Sequence, residues 1–350
     1  MSSDIEGAVD LAALSAWLVS QEVSVDGDLR LELIGGGRSN LTFSVTDDHH
    51  RWILRRPPLG AYHRGAHDVG REYRVMAALQ DSSVPVPVMI ANCEDPSVIG
   101  APFYLMQEVA GVVLRSREMV AELTPETALA LSESLVDTLA DLHEVDVEAV
   151  GLSRLGKPQG YLERQLARWQ KQYHAVSTRH TDRVHDVVAA LSAAMPVSET
   201  VSIVHGDFRI DNVIVNSSDR GVVAAVLDWE MATLGDPLAD LATLVMFWDE
   251  VGRPFNPITG GLTAFPGFLS VDEVVQAYAE RRSLDQRDVD SLDWYLAFSK
   301  FKLAVILEQI HVRHASGQTL GAGFEGIDLM VDQLLGECVP PSPGVAHATP

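Results

Sequence analysis

Residues 204–215 read V-H-G-D-F-R-I-D-N-V-I-V. The two ends of this stretch are apolar and β-branched, as in buried strands, and its middle crowds two aspartates and an asparagine onto a short loop. Solvated turns often carry such residues, because Asp and Asn bond their own backbone and tolerate unusual dihedral angles. A turn is therefore the simplest interpretation of Asp207, Asp211 and Asn212. A functional interpretation needs support from elsewhere in the chain.

That support comes from a second apolar run, 222–227, which follows the polar turn 217–220 and ends at Asp228. The pattern predicts a β-hairpin. A hairpin holds the start of one strand beside the end of its partner, so Asn212 and Asp228 are expected to lie close together, with Asp207 on the loop above them. Carboxylate and amide oxygens suit Mg²⁺, which substrate phosphates usually complete. Asp207 would then accept a proton from a hydroxyl nucleophile.

The composition is that of a globular protein, with 350 residues, 47% hydrophobic and 21% charged. The net charge of -23, from 49 acidic and 26 basic side chains, disfavours nucleic acid and anionic membranes as partners. It favours a cationic substrate, although an acidic surface also serves solubility. Two cysteines, Cys93 and Cys338, are too few for a disulfide framework and indicate a reducing compartment. No apolar stretch approaches the roughly 18 residues of a membrane helix and no signal peptide opens the chain, so a cytoplasmic location is predicted.

The predicted elements change character along the chain. A helix at 10–21 precedes short β-rich runs at 31–34, 41–45 and 51–55, a helix at 70–79, and strands at 86–93 and 103–109. Helices dominate afterwards, and are predicted from residue 124 to 143 and at 160–176, 183–195, 271–282 and 288–314. We therefore predict a β-rich N-terminal lobe at 1–109, a larger helical lobe at 110–338, and a loose tail at 339–350.

The polar motifs resemble the eukaryotic-like kinase fold, and within it the aminoglycoside phosphotransferase and choline kinase group. Protein kinases have H-R-D, an Asn five residues after that Asp, and then D-F-G. Here His205-Gly206-Asp207 precedes Asn212, and Asp228-Trp229-Glu230 follows. The resemblance implies an α+β, bilobal protein-kinase-like fold, with a small antiparallel sheet lobe that carries one helix and a larger mainly helical lobe. It implies ATP and Mg²⁺, an ATP-binding lobe at 1–109, and a catalytic and substrate lobe at 110–338. It also implies a catalytic Asp207, with Asn212 and Asp228 as metal ligands.

The resemblance also places a nucleotide site in the first lobe. The run Gly35-Gly36-Gly37-Arg38-Ser39-Asn40 stands where kinases have the glycine-rich loop, although it departs from G-x-G-x-x-G. Glycine lets backbone amides approach phosphate, and Ser39 or Asn40 would add a side-chain donor. The segment Gln107-Glu108-Val109 resembles the hinge whose backbone meets adenine.

Arg55 stands at the position of the phosphate-binding lysine of kinases, at the end of the strand 51–55. Arginine keeps the positive charge and offers two donors to phosphate. Arg56 is the alternative if the strand register shifts by one residue. Glu72, in the only helix predicted after the strands, corresponds to the acidic partner of that cation, and a solvated helix charge is the competing interpretation.

The acceptor is predicted to be a small molecule. Only six residues separate Asp228 from Gly235-Asp236-Pro237, which leaves no room for the activation segment of protein kinases. The resemblance makes Asp240 a buried carboxylate bonded to the catalytic loop, and Asp236 a cap for the following helix. Glu230 and Asp211 are substrate candidates: Glu230 faces either the acceptor pocket or the surface, and Asp211 lies at the pocket rim.

Residues 71–76 and 227–237 look especially like the phosphotransferase domains associated with acyl-CoA dehydrogenases. We therefore predict an ATP- and Mg²⁺-dependent phosphotransferase acting on a hydroxyl of an aminoglycoside-like compound, an amino alcohol, a sugar or a hydroxyacyl-CoA. The acidic surface fits anionic CoA poorly and cationic aminoglycosides better. The rival hypothesis is a nucleotide-binding pseudokinase that acts as scaffold or sensor. Two departures from the kinase pattern support this hypothesis: arginine in place of lysine at Arg55, and the altered glycine loop. The presence of Asp207, Asn212 and Asp228 counts against it.

Overall fold

The computed structural model describes residues 8–34, 40–58, 68–177, 179–198, 200–253, 256, 258–317 and 326–338. The predicted phosphate-loop residues Gly35, Gly36, Gly37 and Ser39 and the predicted tail lie outside them. The chain divides into two compact units, one of Met1–Arg115, Val145–Leu152 and Ile210–Ala232, the other of Ser116–Glu144, Ser153–Arg209 and Thr233–Pro350. The predicted lobes at 1–109 and 110–338 stay a prediction; the observed units instead group the 210–232 segment with the N-terminal residues.

The first unit is built on a five-stranded antiparallel sheet. Its strands are β1 (Arg30–Leu33), β2 (Leu41–Thr46), β3 (Arg51–Arg56), β4 (Met89–Cys93) and β5 (Phe103–Gln107), in the spatial order β1-β2-β3-β5-β4. The turn between β2 and β3 is held by Asp47, whose carboxylate accepts the N–H groups of Asp26, His49 and His50. Burial alone would raise the pKa of Asp47, but these hydrogen bonds hold it well below its usual range.

Two helices of this unit pack on the sheet, α1 (Leu11–Ser20) and α2 (Val69–Leu79). Leu14 and Leu18 of α1 join a buried apolar cluster with Phe43, Leu54 and Phe103 of the strands. Burying each such side chain is worth roughly 1.5–3 kcal/mol, so this cluster stabilises the packing of α1 on the sheet. In α2 the buried residues include Glu72 and Val75 beside Met76 and Leu79, whereas Tyr73 and Ala77 are only half-buried.

A second, three-stranded sheet completes the first unit, with the order β6-β8-β9. It consists of β6 (Gly111–Val112), β8 (Val213–Asn216) and β9 (Val223–Val226). The 3₁₀ helices Ile210–Asn212 and Trp229–Met231 flank the β8–β9 hairpin. The N–H of Val226 donates to the carbonyl of Pro85 at 2.8 Å, which ties the hairpin to the N-terminal part of the unit.

The second unit is mainly helical. Its helices are α3 (Arg117–Val120), α4 (Pro125–Glu144), α5 (Tyr161–Val176), α6 (Thr181–Ala193), α7 (Leu238–Met246), α8 (Val271–Arg282), α9 (Gln286–Ala315) and α10 (Ile327–Glu337). Two short strands, β7 (Ser202–Val204) and β10 (Thr233–Gly235), pair antiparallel. The 30-residue α9 starts with a reciprocal capping box between Asp285 and Asp288, and it packs against α5, α6, α7 and α10.

The predicted fold class is confirmed: an antiparallel sheet unit accompanies a mainly helical unit. Most predicted elements are present within one to three residues of their expected bounds. Pro85 and Pro87 precede β4, which therefore starts at Met89 rather than at residue 86, because proline cannot donate to a sheet ladder. The sequence gives no sign of β6 or β10, which are two and three residues long.

Candidate active site

Arg55 lies on the face of the sheet that α2 covers. Its cross-strand partner in β5 is Tyr104, and the neighbouring pair Leu54 and Leu105 points to the opposite face, into the apolar cluster with α1. The Arg55 guanidinium forms an ion pair with Glu72, with 3.0 Å between Nε and Oε2. The pairing predicted between the strand cation and the helix acid is therefore present.

Arg56, the alternative cation, points the other way. Successive side chains of a strand alternate between faces, so Arg56 enters the side of the sheet where α1 packs. It is buried there and donates to the carbonyls of Ala8 and Ile99. The register of β3 therefore leaves Arg55 as the phosphate-binding candidate and gives Arg56 a role in holding the N-terminal segment.

Glu72 is almost fully buried and holds three partners. Besides Arg55, its carboxylate accepts hydrogen bonds from Tyr104 Oη at 3.0 Å and from Asn40 Nδ2 at 2.8 Å. Burial raises the pKa of Glu72 to about 7, against the opposing effect of Arg55. The competing interpretation of a solvated helix charge is wrong, because Glu72 is 1% exposed.

Asn40 is the only predicted phosphate-loop residue that the structure describes. Its side chain is buried, and the amide donates to Glu72 rather than pointing to solvent. The predicted donation from Asn40 to phosphate stays a prediction. In the structure the amide helps to fix the carboxylate that pairs with Arg55.

The β8–β9 hairpin brings Asn212 and Asp228 together, as predicted from its pattern. Val213 pairs with Val226, and the N–H of Leu227 donates to the carbonyl of Asn212 at 2.8 Å. Asp228 adopts a left-handed conformation with φ 65° and ψ 60°, an uncommon backbone for a residue other than glycine. Such a conformation persists only where the surroundings enforce it, and it often marks a functional position.

Asp228 and Arg55 form a second ion pair, with 2.8 Å between Oδ1 and Nη2. Arg55 thus lies between the carboxylates of Asp228 and Glu72. Burial alone would lower the pKa of Arg55, but the surrounding negative groups, Glu230 among them, raise it above its ordinary value. The first unit therefore gathers one permanent cation and two carboxylates that contact it directly.

Asp207 lies on a loop that the second unit holds from two sides. The N–H groups of His205 and Gly206 donate to the carboxylate of Asp240 at 2.5 and 2.7 Å. The carbonyl of Gly206 accepts from Nζ of Lys302 at 2.5 Å. The φ of Gly206 is +86°, in the region that favours glycine, which explains Gly at this position.

Two cations, Arg209 and Lys302, lie near Asp207. Arg209 Nε is 3.4 Å from Asp207 Oδ1. The backbone N–H of Asp207 donates to His205 Nδ1 at 3.2 Å. Burial lowers the pKa of Lys302, whereas the charge of Asp207 raises it. The loop thus presents a carboxylate near two positive groups.

Asp240 is fully buried, as predicted. Burial alone would raise its pKa, but hydrogen bonds and the charges of His143 and His205 lower it. His143 is packed at the end of α4, between Tyr278 Oη at 2.6 Å and Asp240 Oδ2 at 3.4 Å. Asp236 accepts the N–H of Leu238, the first residue of α7, as expected of a cap, and also binds the hydroxyl of Tyr295. These groups are structural supports of the loop and of α7.

The remaining candidates occupy less decisive positions. Hydrogen bonds within the sheet engage the N–H groups of Gln107 and Glu108, with the carbonyls of Val88 and Arg51. Val109 follows them outside β5. Asp211 and Glu230 lie in the two 3₁₀ helices, half-buried and exposed respectively. The adenine and acceptor roles of these five residues stay predictions.

Two contacts of the candidate site were not predicted from the sequence. Tyr104 appeared only as a strand residue, and its bond to Glu72 depends on the register of β3 against β5. Lys302 did carry a signal: it lies four residues after Phe298 and three before Val305, on the buried stripe of α9. A lysine within an apolar helical stripe calls for a partner, and here the partner is Gly206.

The donor set fits a magnesium ion. Mg²⁺ in nucleotide sites is usually held by one or two carboxylates or amides together with phosphate oxygens. Asn212 and Asp228 bring an amide and a carboxylate to neighbouring ends of the two hairpin strands, where the N–H of Leu227 donates to the carbonyl of Asn212. Asp228 is also about one-third exposed, and a metal ligand in a nucleotide site must be accessible.

Known proteins resemble the chain over most of its length. The sequence profile of the phosphotransferase enzyme family matches residues 30–295. The chain belongs to this family. A crystal structure of a protein from Ralstonia eutropha JMP134, provisionally named an aminoglycoside phosphotransferase, is 32% identical, covers 94% of this chain and 98% of its own, and has a TM-score of 0.78. A thermostable mutant of aminoglycoside phosphotransferase APH(4)-Ia, solved with ADP and hygromycin B, shares the fold at 16% identity and a TM-score of 0.60, covering 93% of this chain and 98% of its own.

The curated relatives are longer proteins. Acyl-CoA dehydrogenase family member 10 of Mus musculus is 34% identical over 300 residues, which cover 85% of this chain and 28% of the relative. Family member 11 of Gallus gallus is 35% identical over 314 residues, which cover 88% and 40%. The chain therefore spans well under half the length of these members of the family. In the part of the chain that the structure describes, every helix is too short or too polar to cross a membrane.

Proposed function

We propose that this phosphotransferase transfers the γ-phosphoryl group of ATP to a hydroxyl of a small molecule, with Mg²⁺ as cofactor, in the cytoplasm. The observation that carries the proposal is the position of Arg55 between Glu72 and Asp228. Kinase-type phosphoryl transfer uses a cation paired with a helix carboxylate, together with a second carboxylate that holds the metal. The contacts of Arg55 with Glu72 and Asp228 support these roles. A purely structural ion pair would not need Asp228 to remain partly exposed.

Arg55 is proposed to bind the phosphates, with Glu72 orienting it. Guanidinium matches phosphate oxygens with two parallel N–H donors, and burial strengthens such charge-assisted bonds. Tyr104 and Asn40 fix the carboxylate of Glu72 from two further directions. The amides of Gly35, Gly36 and Gly37 and the hydroxyl of Ser39 are proposed to cover the phosphates, and Gln107, Glu108 and Val109 to meet adenine.

Asn212 and Asp228 are proposed to hold Mg²⁺. When bound, the ion neutralises charge on the phosphate oxygens. Oδ1 of Asp228 accepts the Arg55 guanidinium, so this oxygen can serve the metal only by giving up that contact. Arg55 is then available to phosphate.

Asp207 is proposed to position the acceptor hydroxyl and take its proton. The acceptor oxygen forms a bond to the γ-phosphorus, the bond from that phosphorus to the bridging oxygen breaks, ADP leaves, and the hydroxyl proton goes to the Asp207 carboxylate. Hydrogen bonds of the flanking residues to Asp240 and Lys302 hold the loop, so little ordering of the backbone is needed at the moment of reaction.

The acceptor is proposed to be a small hydroxylated compound. Glu230 and Asp211 are secondary candidates for contact with it. Structural neighbours have been solved with hygromycin B and with streptomycin, which supports a small-molecule acceptor for the fold. The similarity to acyl-CoA dehydrogenase family members supports hydroxyacyl-CoA thioesters as a second class. Amino alcohols and sugars complete the set to be tested.

The decisive experiment measures ADP formation with Mg²⁺ and ATP across these four acceptor classes, in wild type and in Asp207→Asn. The expected result is acceptor-dependent ADP formation that falls by about 10²- to 10⁴-fold in the variant, the usual contribution of a general base. The rival role as a scaffold or sensor predicts that ATP still binds while no acceptor raises ADP formation above the Asp207→Asn level. That second outcome would overturn the proposal.

A further inference from the structure

A group of basic side chains surrounds a cavity of about 540 Å³ on the second unit. We call it the α5 groove, and its cationic lining is Lys157, Arg164, Arg168 and Lys171. Three of these residues lie on α5 itself, four and then three positions apart, so they share one face of the helix. Tyr161 and Thr233 are also among the lining residues.

This concentration of positive charge contrasts with the rest of the chain. The net charge is -23, with 26 basic against 49 acidic side chains, so four cations around one cavity are a local reversal of sign. Within the described ranges, none of the four forms an ion pair with a carboxylate. Arg164 donates to the carbonyls of Lys157 and Gln159, which fixes the loop before α5. Like charges held together without acidic partners repel one another, and a bound anion would remove that cost.

The groove is connected to the Asp207 loop through one aromatic residue. Trp169 is buried, and both its neighbour Arg168 and Lys302 approach its ring, at 5.6 and 5.8 Å from the centroid. Arg168 lies near enough to Lys302 for its charge to lower the pKa of that ammonium, after the larger effect of burial. Lys302 in turn binds the carbonyl of Gly206, next to Asp207. A line of positive groups thus runs from α5 to the loop.

We propose that the α5 groove is a phosphate-binding site, and that it takes a phosphate or pyrophosphate group carried by the acceptor. The assignment of that group to the acceptor rests on the proposed function, because it places the acceptor hydroxyl at Asp207. Arginine binds phosphate through two parallel donors and lysine adds a point charge, so Arg164, Arg168, Lys157 and Lys171 suit a dianionic group. A cationic acceptor such as an aminoglycoside would be repelled by the same surface.

Direct binding is the first test. Pyrophosphate is titrated calorimetrically into the full chain with saturating ADP and Mg²⁺ present, so that the proposed nucleotide site is occupied. The test variant is Arg168→Glu/Lys171→Glu, and the matched control is Arg287→Glu/Arg313→Glu, which changes the net charge equally on exposed positions of α9. We expect the test variant to weaken binding at least tenfold, and the control to stay within twofold of wild type. Equal binding by wild type and both double variants would overturn the site.

Matched acceptors identify the source of the phosphate. ADP formation is compared for glucose against glucose 6-phosphate, and for a hydroxyacyl-pantetheine against the same hydroxyacyl-CoA. We expect the phosphate-bearing member of the active pair to have the lower KM, and Arg168→Glu/Lys171→Glu to raise that KM at least tenfold with kcat within twofold. Equal KM values within the active pair, or a variant that leaves them unchanged, would overturn the assignment to the acceptor.

The two proposals fail in different ways. If no acceptor yields ADP while pyrophosphate binding still depends on Arg168 and Lys171, the proposed function fails and the phosphate site is supported. If ADP forms only with acceptors that lack phosphate and pyrophosphate binds equally to both double variants, the site fails and the proposed function is supported.

Discussion

Arg55 Nη2 lies 2.8 Å from Oδ1 of Asp228, although 173 positions separate the two residues along the chain. The same guanidinium contacts Glu72, so a single cation joins a strand, a helix and the end of a hairpin. The neighbouring Arg56 lies on the other face of β3, where it donates to the carbonyls of Ala8 and Ile99. Variants of the two arginines can therefore distinguish a role in nucleotide binding from a role in stability.

We predict that Arg55→Lys raises the KM for ATP about tenfold or more, because a single ammonium replaces two parallel donors to phosphate. Arg56→Lys should leave that KM unchanged and lower the free energy of unfolding by about 1.5–3 kcal/mol, the range for hydrogen bonds to charged groups, since it loses carbonyl contacts with Ala8 and Ile99. Steady-state kinetics and urea unfolding of both variants separate the effects. Equal KM values for the two variants would remove Arg55 from the nucleotide site.

As the pH rises, ionisation of Glu72 is predicted to increase activity and to decrease stability. Its pKa is raised from 4.5 to about 7 by burial, so the protonated form is favoured in the folded state. The stability that this provides is complete below about pH 4.5 and is lost as the pH rises through about 7. Over the same interval ionisation creates the charge that orients Arg55, so kcat/KM for ATP should rise with an apparent pKa near 7.

The variant Glu72→Gln should lose both trends. Between pH 5 and pH 8, its free energy of unfolding should fall less than that of wild type, and its kcat/KM should lack the rise. The exposed Glu94→Gln is the control, and it should behave as wild type in both measurements. A wild-type rise in kcat/KM that persists unchanged in Glu72→Gln would assign the titration to another group.

Lys302 is predicted to influence kcat because it positions the loop that carries Asp207. Its ammonium holds the carbonyl of Gly206, and misplacing a reacting group by about 1 Å can cost about 100-fold in rate. Lys302→Met should therefore lower kcat by about 10- to 100-fold while the KM for ATP stays within twofold of wild type. Lys300→Met is the matched control on the same helix, because Lys300 pairs with Glu337 instead. Equal kcat values for the two variants would leave Lys302 without a role in positioning Asp207.

How much of the site was predictable depends on whether its parts are local in sequence. The turn at 217–220 and the β-branched runs beside it define the hairpin, so the proximity of Asn212 and Asp228 follows from the pattern alone. The sequence pattern does not decide whether Arg55 or Arg56 is the phosphate-binding cation, because a shift of one residue exchanges the two faces of a strand. The pairing of Arg55 with Tyr104, which binds Glu72, identifies Arg55 as the candidate.

The two strands that were not predicted, β6 and β10, share a physical cause. β10 is three residues long and exists because it pairs with β7, about 30 positions earlier in the chain, and β6 likewise depends on β8. Such short strands have no periodicity to detect, since long-range pairing rather than local preference forms them. The α5 groove was visible in principle, because Arg164, Arg168 and Lys171 recur at helical spacing. What the sequence could not provide is the approach of Lys302 to the same aromatic ring.

The crowded loop itself supports a last comparison, between neighbouring residues of one 3₁₀ helix. Asn212 is proposed to bind Mg²⁺, and its carbonyl is fixed by Leu227 beside Asp228. Asp211 precedes it and has no part in that scheme. Asn212→Ala should raise the Mg²⁺ concentration for half-maximal ADP formation at least about tenfold, because even residues that only support metal ligands cost 10- to 100-fold in affinity when changed. Asp211→Asn should change it less than about twofold. Titrations of Mg²⁺ at saturating ATP measure both values, and the same increase in both variants would mean that the loop as a whole, rather than Asn212, sets the affinity for the metal.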